Sequence, residues 1–410
     1  MRKTEIGADW LTVTANPTKI YQDGSTRYID AFYKVDWSER AEILLDEIAD
    51  VLHLGNDYIS ISDKKSEFGV FPKLIKKGYI VERQYKTIVI GYHPAFEYMG
   101  ICLEFTGEAL QDYRKMIKGY DIEIAEPFIL RSVAKVADSF ESAQPGIGFS
   151  SKCTRIDIAI DEFDGKYSVD DFIEEYYRKR GRIESEQVNK DGEVIQKAMN
   201  VSRQIIQTTD GGSSLYIGSI SSAKRLNIYN KVAERISAGQ DVDETNWVRF
   251  EGRFKKEYAL QIGNQLMSYA DEFRSLRYCY AIMVSNFCFK LPDGQDHELV
   301  NEWQKRSEGT LGVLHSEDRR KSTFETSYGH IAERSGLFSL MKKAELLHGV
   351  DAVDALVKAL LNDYAKYQAT DDVNKFVHDH AGEDWEEVYP SGWKHQMEEI
   401  RSEQSGKKRG

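Results

Sequence analysis

The sequence predicts an α+β protein, with an antiparallel-rich central sheet that carries the functional residues, packed helices, and a mainly helical C-terminal region. In the first two thirds, several segments of alternating apolar and polar residues follow one another without a helix long enough for a parallel crossover. Beyond Tyr258, apolar residues recur at the three- and four-residue spacing of helices. We therefore expect one domain over residues 1–260 and a helical region of unassigned role over residues 261–410.

The predicted elements alternate along the first domain. The strand candidates are DWLTVTA, KTIVIGY, GICLEFTG, TRIDIAIDEF, SSLYIGSI, RLNIYNK and WVRFEGRF. The helix candidates between them are RAEILLDEIADVLHL, GEALQDYRKMIKG and VDDFIEEYYRKR. The turn GSISSAK predicts a hairpin between its two flanking strands. The polar stretch ESEQVNKDGEVIQKAMNVS predicts an exposed loop or an extra hairpin.

Composition limits the class of protein and its partners. The 410 residues are 41% hydrophobic and 30% charged, and no apolar run reaches the roughly 18 residues that a membrane span needs. The N-terminal segment lacks the apolar core of a signal peptide, so we expect a cytoplasmic protein with no membrane partner. The four cysteines show no CxxC spacing, which argues against a zinc site. The net charge of −12 argues against non-specific coating of nucleic acid, but it leaves a site-specific DNA enzyme open.

Carboxylates recur at the centres of predicted strands, where Asp and Glu are uncommon. TRIDIAIDEF places Asp157 and Asp161 on one face, and WVRFEGRF places Glu251 between two arginines. One reading is cross-strand pairing with arginine. The other is a site for Mg²⁺ or Mn²⁺, since these ions prefer oxygen ligands. Both readings stay open, and Glu104 is a weaker candidate for the same acidic cluster.

The segment KRLNIYNK, residues 224–231, places a tyrosine among cations. Alternation puts Leu226 and Ile228 on one face, and it puts the polar residues on the other. Those polar residues are Arg225, Asn227, Tyr229 and Lys231. Most tyrosines in strands only pack against neighbouring side chains and have no catalytic role. A phenol can also attack phosphorus, provided that a metal ion polarises the phosphoryl oxygens and nearby cations hold the developing charge.

In combination, these segments resemble the Rep_trans family. That family contains the pT181-type rolling-circle replication initiators, relaxases of some conjugative elements and replication proteins of certain filamentous phages. The matching segments are DWLTVT, LEFTG, TRIDIAID, SSLYIGSISSAKRLNIYNK and WVRFEGRFKKE, in the family's order between about residues 9 and 260. Asn227 departs from the pattern, which has arginine two residues before the tyrosine. Beyond residue 260 no resemblance is found.

The resemblance implies that residues 1–260 are a catalytic Rep/relaxase domain that nicks one DNA strand at its own origin. Tyr229 would form a 5′-phosphotyrosine and release a free 3′-hydroxyl. Asp157, Asp161 and Glu251 would hold a divalent ion, Mg²⁺ or Mn²⁺. The DNA backbone would be held by Arg155, Arg225, Lys231 and Arg249.

The implied partners are origin DNA and a host helicase, and a homodimer is left open. Two alternatives remain at this point. The first is a metal-dependent nuclease that activates water, with Tyr229 only binding. The second is a non-catalytic DNA-binding regulator.

Overall fold

The structure is a computed structural model of the 410-residue chain. It describes residues 4–20, 26–28, 37–61, 79, 81–95, 99–120, 122, 124–143, 148–189, 192–207, 212–314, 331, 336–369, 373–374 and 377–378. The chain divides into two compact units, Met1–Ser316 and Glu317–Gly410.

Fourteen strands are found in the described residues. They are β1 (Thr4–Ile20), β2 (Thr26–Tyr28), β3 (Ile59–Ile61), β4 (Val81–Tyr85), β5 (Ile88–Tyr92), β6 (Ile101–Thr106), β7 (Gly148–Glu162), β8 (Ile183–Val188), β9 (Val194–Ala198), β10 (Arg203–Gln207), β11 (Ser213–Ile217), β12 (Lys224–Asn230), β13 (Val248–Lys255) and β14 (Cys288–Phe289). Eleven of them form one sheet in the order β10-β11-β12-β13-β7-β1-β6-β5-β4-β3, with β2 paired to β1. The other three form a small sheet, β14-β8-β9.

Helices follow or connect these strands. In the first unit they are α1 (Trp37–Val51), α2 (Gly107–Ile117), α3 (Ala125–Ala143), α4 (Val169–Phe172), α5 (Lys231–Ser237), α6 (Glu257–Met267), α7 (Glu272–Asn286) and α8 (Glu298–Ser307). A 3₁₀ turn, Lys118–Tyr120, follows α2, and a π-helical segment, Ile173–Arg178, follows α4. In the second unit the described helices are Leu337–His348 and Val350–Tyr364.

Two helices begin where strands end, because a side chain caps each helix. The hydroxyl of Thr106 accepts a hydrogen bond from the Ala109 N–H and starts α2 directly after β6. The side-chain oxygen of Asn230 accepts one from the Ala233 N–H, at 3.0 Å, and starts α5 directly after β12. The second cap ends the strand one residue after Tyr229.

The hydrophobic core lies between one face of the large sheet and the helices. Ile156, Ile158 and Ile160 of β7 are fully buried, as are Leu226 and Ile228 of β12. Among the helices, α1, α3, α6, α7 and α8 all contribute to this core. Because side chains alternate along a strand, the residues between these apolar positions face the other side of the sheet. That face carries the candidate site.

The predicted fold class is confirmed. All of the strand pairs in the described residues are antiparallel, including the predicted β11–β12 hairpin. Residues 184–202, for which the sequence predicted an exposed loop or an extra hairpin, contain most of the β8–β9 hairpin. None of the helices in the described part of the chain is long and apolar enough to cross a bilayer.

The boundary at residue 260 stays a prediction. Helices beyond it belong to the same core as the sheet, since Ile262 of α6, Met283 of α7 and Trp303 of α8 are fully buried there. Much of the C-terminal region 261–410, including residues 379–410, lies outside the described residues.

Candidate active site

The sheet register brings the predicted polar residues of three strands together on one face. Tyr229 of β12 lies opposite Arg249 of β13, which lies opposite Asp161 of β7. Two residues along β13, Glu251 lies opposite Asn227. A side-by-side row of this kind brings Cβ atoms within about 5 Å, so the side chains contact one another.

Tyr229 is buried, with 8% of its surface exposed. Its hydroxyl donates a hydrogen bond to Glu251 Oε2 at 3.1 Å. Burial raises the pKa of Tyr229 above its ordinary value, the Glu251 carboxylate raises it further, and Arg249 partly opposes this. In this arrangement the phenol is protonated, and its hydroxyl is hydrogen-bonded to the Glu251 carboxylate, a group that can accept a proton.

Glu251 is the hydrogen-bond acceptor in this pair. Its other oxygen, Oε1, accepts a weak hydrogen bond from Arg253 at 3.3 Å. Burial raises the pKa of Glu251, and the carboxylates of Asp157 and Asp9 raise it further. A carboxylate with a raised pKa is a stronger base than an exposed one, which suits proton transfer near neutral pH.

Asp9 belongs to this site, although the sequence did not single it out. The register between β1 and β7 shifts between Ala8 and Trp10, so Asp9 is the extra residue of a β-bulge. Its Oδ1 accepts a hydrogen bond from Arg249 Nη1 at 2.7 Å. Strict alternation assigns residues 9 and 10 to opposite faces, whereas the bulge brings Asp9 to the candidate site. The one available signal was a carboxylate at the start of a predicted strand.

Asp161 holds Arg249 in place. Its Oδ1 accepts hydrogen bonds from Trp247 Nε1 at 2.6 Å and from Arg249 Nε at 2.7 Å. Its Oδ2 accepts a third from Arg249 Nη2 at 2.8 Å. This is a two-point carboxylate–guanidinium pair, which fixes the orientation of the arginine.

Asp157 is also paired with arginine. It is 1% exposed, and it accepts hydrogen bonds from Arg155 Nε at 3.0 Å and from Arg253 Nε at 3.1 Å. Arg155 makes a second, shorter contact with the same carboxylate. Arg155 also stacks on Trp10, with its guanidinium carbon 3.9 Å from the ring centroid.

The carboxylates predicted to hold a divalent ion do not fit one in this arrangement. Both oxygens of Asp157 and of Asp161 accept hydrogen bonds from guanidinium groups, and both oxygens of Glu251 are hydrogen-bonded as well. Over the described residues, no three His, Cys, Asp or Glu side chains are grouped so that they could hold a metal ion. An ion bound by these residues would first have to displace arginine.

Arg225 differs from the other arginines on this face, because no carboxylate among the described residues forms an ion pair or hydrogen bond with it. It is 8% exposed, its guanidinium stacks 4.1 Å from the Tyr216 ring centroid, and its Nε is buried without a hydrogen bond. Burial lowers the pKa of Arg225. The side-chain oxygen of neighbouring Asn227 is also buried without a partner. A buried guanidinium with an unused donor is suited to an anionic ligand, whereas the Asn227 oxygen is an acceptor and would be satisfied by a donor.

Lys231 was predicted on the polar face of the same strand, but it begins helix α5 instead. The reason is the Asn230 cap, which ends β12 one residue earlier. The ammonium of Lys231 still lies 5.5 Å from the Tyr229 ring centroid, and it forms an ion pair with Glu234 at 2.8 Å. Glu104, the weaker acidic candidate, lies on β6, opposite Thr12 of β1.

The comparison with protein families agrees with the sequence resemblance in naming the same family. The sequence model of the Rep_trans family, described as a replication initiation factor, matches residues 151–360, just over half of the chain. Among solved structures, the rolling circle replication initiator protein from Geobacillus stearothermophilus is similar, with 15% identity and a TM-score of 0.46. That alignment covers 76% of this chain and 100% of the other. None of the curated proteins matches.

Proposed function

The chain belongs to the Rep_trans family of replication initiation factors, and from this membership we propose that it starts rolling-circle replication by nicking one DNA strand at its cognate origin. Tyr229 is the proposed nucleophile. The products are a 5′-phosphotyrosine on the protein and a free 3′-hydroxyl for a polymerase. The observation that carries this proposal is the hydrogen bond from buried Tyr229 to Glu251, on the face that also carries the Arg225 guanidinium, whose buried Nε has no hydrogen bond.

The proposed step is a displacement at phosphorus. The phenol oxygen of Tyr229 forms a bond to phosphorus while the bond from phosphorus to the 3′ oxygen breaks. The phenol proton passes to Glu251, whose Oε2 is 3.1 Å away. The 3′ oxygen leaves with the bonding electron pair and takes a proton from water. Because the phosphodiester energy is kept in the tyrosine ester, the 3′-hydroxyl can later reverse the step and close the strand.

Arg225 is proposed to hold the scissile phosphate. It lies four residues before Tyr229 on β12, on the same face of the sheet, it is buried, and no carboxylate among the described residues forms an ion pair with it. A phosphate oxygen would satisfy its Nε, and charge-assisted bonds of this kind strengthen as negative charge develops. Arg155, Arg249 and Lys231 are proposed as further backbone contacts, although each of these also holds a carboxylate.

The divalent ion, Mg²⁺ or Mn²⁺, stays a prediction. Each of the acidic residues named for it accepts a hydrogen bond from arginine in this arrangement. DNA is the proposed partner, and a host helicase is proposed to separate the strands.

The test is formation of a covalent adduct. Wild type and Tyr229→Phe are incubated with Mn²⁺, or with EDTA, and with single-stranded oligonucleotides that tile the DNA around the gene for this chain. The matched control is Tyr58→Phe, which removes the hydroxyl of a tyrosine that is 40% exposed and lies beside β3, at the far edge of the sheet. We expect a shifted band on a denaturing gel for wild type and Tyr58→Phe, and none for Tyr229→Phe.

Other results would favour the alternatives. Cleavage without an adduct, unchanged in Tyr229→Phe, would indicate a nuclease that activates water. Sequence-specific binding without cleavage of any oligonucleotide would favour a non-catalytic regulator. An adduct that forms equally well in EDTA would contradict the predicted metal requirement.

A further inference from the structure

Two arginine–aromatic stacks lie on the same face of the sheet as Tyr229. Arg155 stacks on Trp10 at 3.9 Å, and Arg225 stacks on Tyr216 at 4.1 Å, measured from guanidinium carbon to ring centroid. Both distances are well within the roughly 6 Å at which a cation is attracted to an aromatic face. Each pair joins neighbouring strands, so each forms a flat, positively charged platform on the sheet.

In the direction across the strands, the sheet order places the reacting groups within the interval between these two platforms, and along β12 Tyr229 lies four residues, about 13 Å, beyond Arg225. The Tyr216–Arg225 pair joins β11 to β12, and the Arg155–Trp10 pair joins β7 to β1. Their centres are three inter-strand spacings apart, about 14 Å. The Tyr229–Glu251 hydrogen bond joins β12 to β13, inside this interval.

The register shows that the platforms and the nucleophile share one face. Tyr216 lies opposite Asn227, and Asn227 lies opposite Glu251. Trp10 lies opposite Asp157, which lies opposite Arg253. The residues that alternate with these, such as Leu215 and Ile156, are fully buried in the core on the other side.

The rings of Trp10 and Tyr216 are not part of the hydrophobic core. Trp10 and Tyr216 are both half-buried, and neither belongs to the hydrophobic core. The Trp10 indole N–H is satisfied by Thr12 at 2.9 Å, so it does not need a partner from a ligand. Among the described residues, the Tyr216 hydroxyl has no hydrogen-bond partner. These rings therefore offer apolar surface next to a cation, on the face where the DNA is proposed to be cut.

Nucleobases stack on aromatic rings and on guanidinium planes, and they do so with little regard to sequence because every base has a π-face. We propose that the Trp10–Arg155 and Tyr216–Arg225 pairs are two base-stacking clamps, which hold single-stranded DNA across the strands of the sheet on either side of the nick. This inference rests on the proposed function for the location of the nick. It adds which residues bind the flanking bases, and it assigns Trp10 and Tyr216 a binding role.

The test separates stacking on bases from attraction to phosphates. All proteins carry Tyr229→Phe, so that no adduct can form, and binding is measured by fluorescence anisotropy. The two probes are a labelled dT 20-mer and a 20-mer of abasic residues with the same phosphates and no bases. The clamp variants are Trp10→Leu and Tyr216→Leu. The matched control is Tyr58→Leu, which removes the ring of another arginine–aromatic pair. In that pair the Arg83 guanidinium carbon lies 4.6 Å from the Tyr58 ring centroid, and β4, which carries Arg83, is near the opposite edge of the sheet.

We expect each clamp variant to weaken binding of the dT 20-mer by about 5- to 150-fold, the range that loss of one stacked base covers. Binding of the abasic 20-mer should change less than about twofold, and Tyr58→Leu should match the parent on both probes. The conservative variants Trp10→Phe and Tyr216→Phe keep a ring and should retain most of the affinity. Retained affinity in these variants excludes simple misfolding as the cause.

Two results would overturn the inference. One is an equal loss of affinity for both probes, which would indicate a general effect on the phosphate-binding surface. The other is unchanged binding of the dT 20-mer in both leucine variants. Neither result depends on adduct formation. The binding test can therefore refute the base-stacking role without bearing on the proposed nicking activity. Base-dependent binding without any adduct in wild type would retain the clamps and refute the nicking step.

Discussion

Replacing Glu251 with glutamine tests the proposed proton acceptor while keeping the shape of the side chain. The amide oxygen of Glu251→Gln can still accept a hydrogen bond from Tyr229, but it cannot take the proton. General-base catalysis contributes about 10²- to 10⁴-fold to a rate. We therefore expect single-turnover nicking to slow by about that factor at pH 7 to 8, with little change in DNA affinity.

The structure also predicts the direction of the stability change. Burial and the carboxylates of Asp157 and Asp9 raise the pKa of Glu251, so the folded state binds its proton more tightly than the unfolded state does. The ionised form is therefore unfavourable in the fold, and stability falls as the pH rises from the unfolded pKa of about 4.3 through the raised folded pKa. Glutamine carries no charge, so Glu251→Gln should unfold at the wild-type temperature or higher at pH 8.

The assay is a pH series from 5 to 9 with a 5′-labelled oligonucleotide that wild type nicks, together with thermal unfolding at each pH. The wild-type rate should rise with pH through the raised pKa of Glu251, because only the carboxylate accepts the proton. The glutamine variant should lack that rise. A glutamine variant that nicks at the wild-type rate, with the wild-type pH profile, would refute Glu251 as the base. A slow variant that is also unfolded would show that the loss is structural.

Two further substitutions separate binding from folding. Arg225→Ala should slow nicking by about 10²- to 10³-fold through loss of the phosphate contact, as measured in the same assay. Its free energy of unfolding should stay within about 1 kcal/mol of wild type. The loss of stacking on Tyr216 lowers stability, whereas the removal of a buried charge without an ion-pair partner raises it. A large loss of stability would indicate that Arg225 is paired in the folded protein. Asp161→Asn should cost about 3–5 kcal/mol in denaturant unfolding, because it leaves the buried guanidinium of Arg249 without its main counter-ion. The control Glu302→Gln breaks a more exposed pair with lysine and should cost less than about 1 kcal/mol, and equal costs for the two substitutions would contradict this account.

Local patterns in the sequence were enough to predict most of the sheet. Each strand predicted from alternation is present, and Leu226 and Ile228 are buried on the face that their spacing assigned to the core. This works because side chains of a strand alternate between faces wherever that strand lies. The elements that were not predicted individually are helices α3, α5, α8 and Leu337–His348 and the short strands β2, β3, β4, β10 and β14.

Two local exceptions could not be predicted from the two-residue alternation of side chains along a strand. The β-bulge at Asp9 inserts one residue and brings a carboxylate to the site, and the Asn230 cap ends β12 before Lys231. A bulge depends on how two strands pair, so it leaves little trace in either strand by itself. The cap did have a signal, since asparagine is a favoured first residue of a helix.

The sequence by itself determined that most of the polar residues of β7, β12 and β13 share a face and that Tyr229 is among them, although it missed Asp9 and wrongly included Lys231. Only the tertiary structure decided how those residues are paired. Asp157 and Asp161 were open to either metal binding or arginine pairing, and the strand order sets them against Arg253 and Arg249. The same order leaves Arg225 stacked on the Tyr216 ring, without an ion pair to any carboxylate of the described residues. The physical reason is that alternation is a property of one strand, whereas a counter-ion is supplied by a neighbouring strand, whose identity and register are fixed only when the sheet assembles.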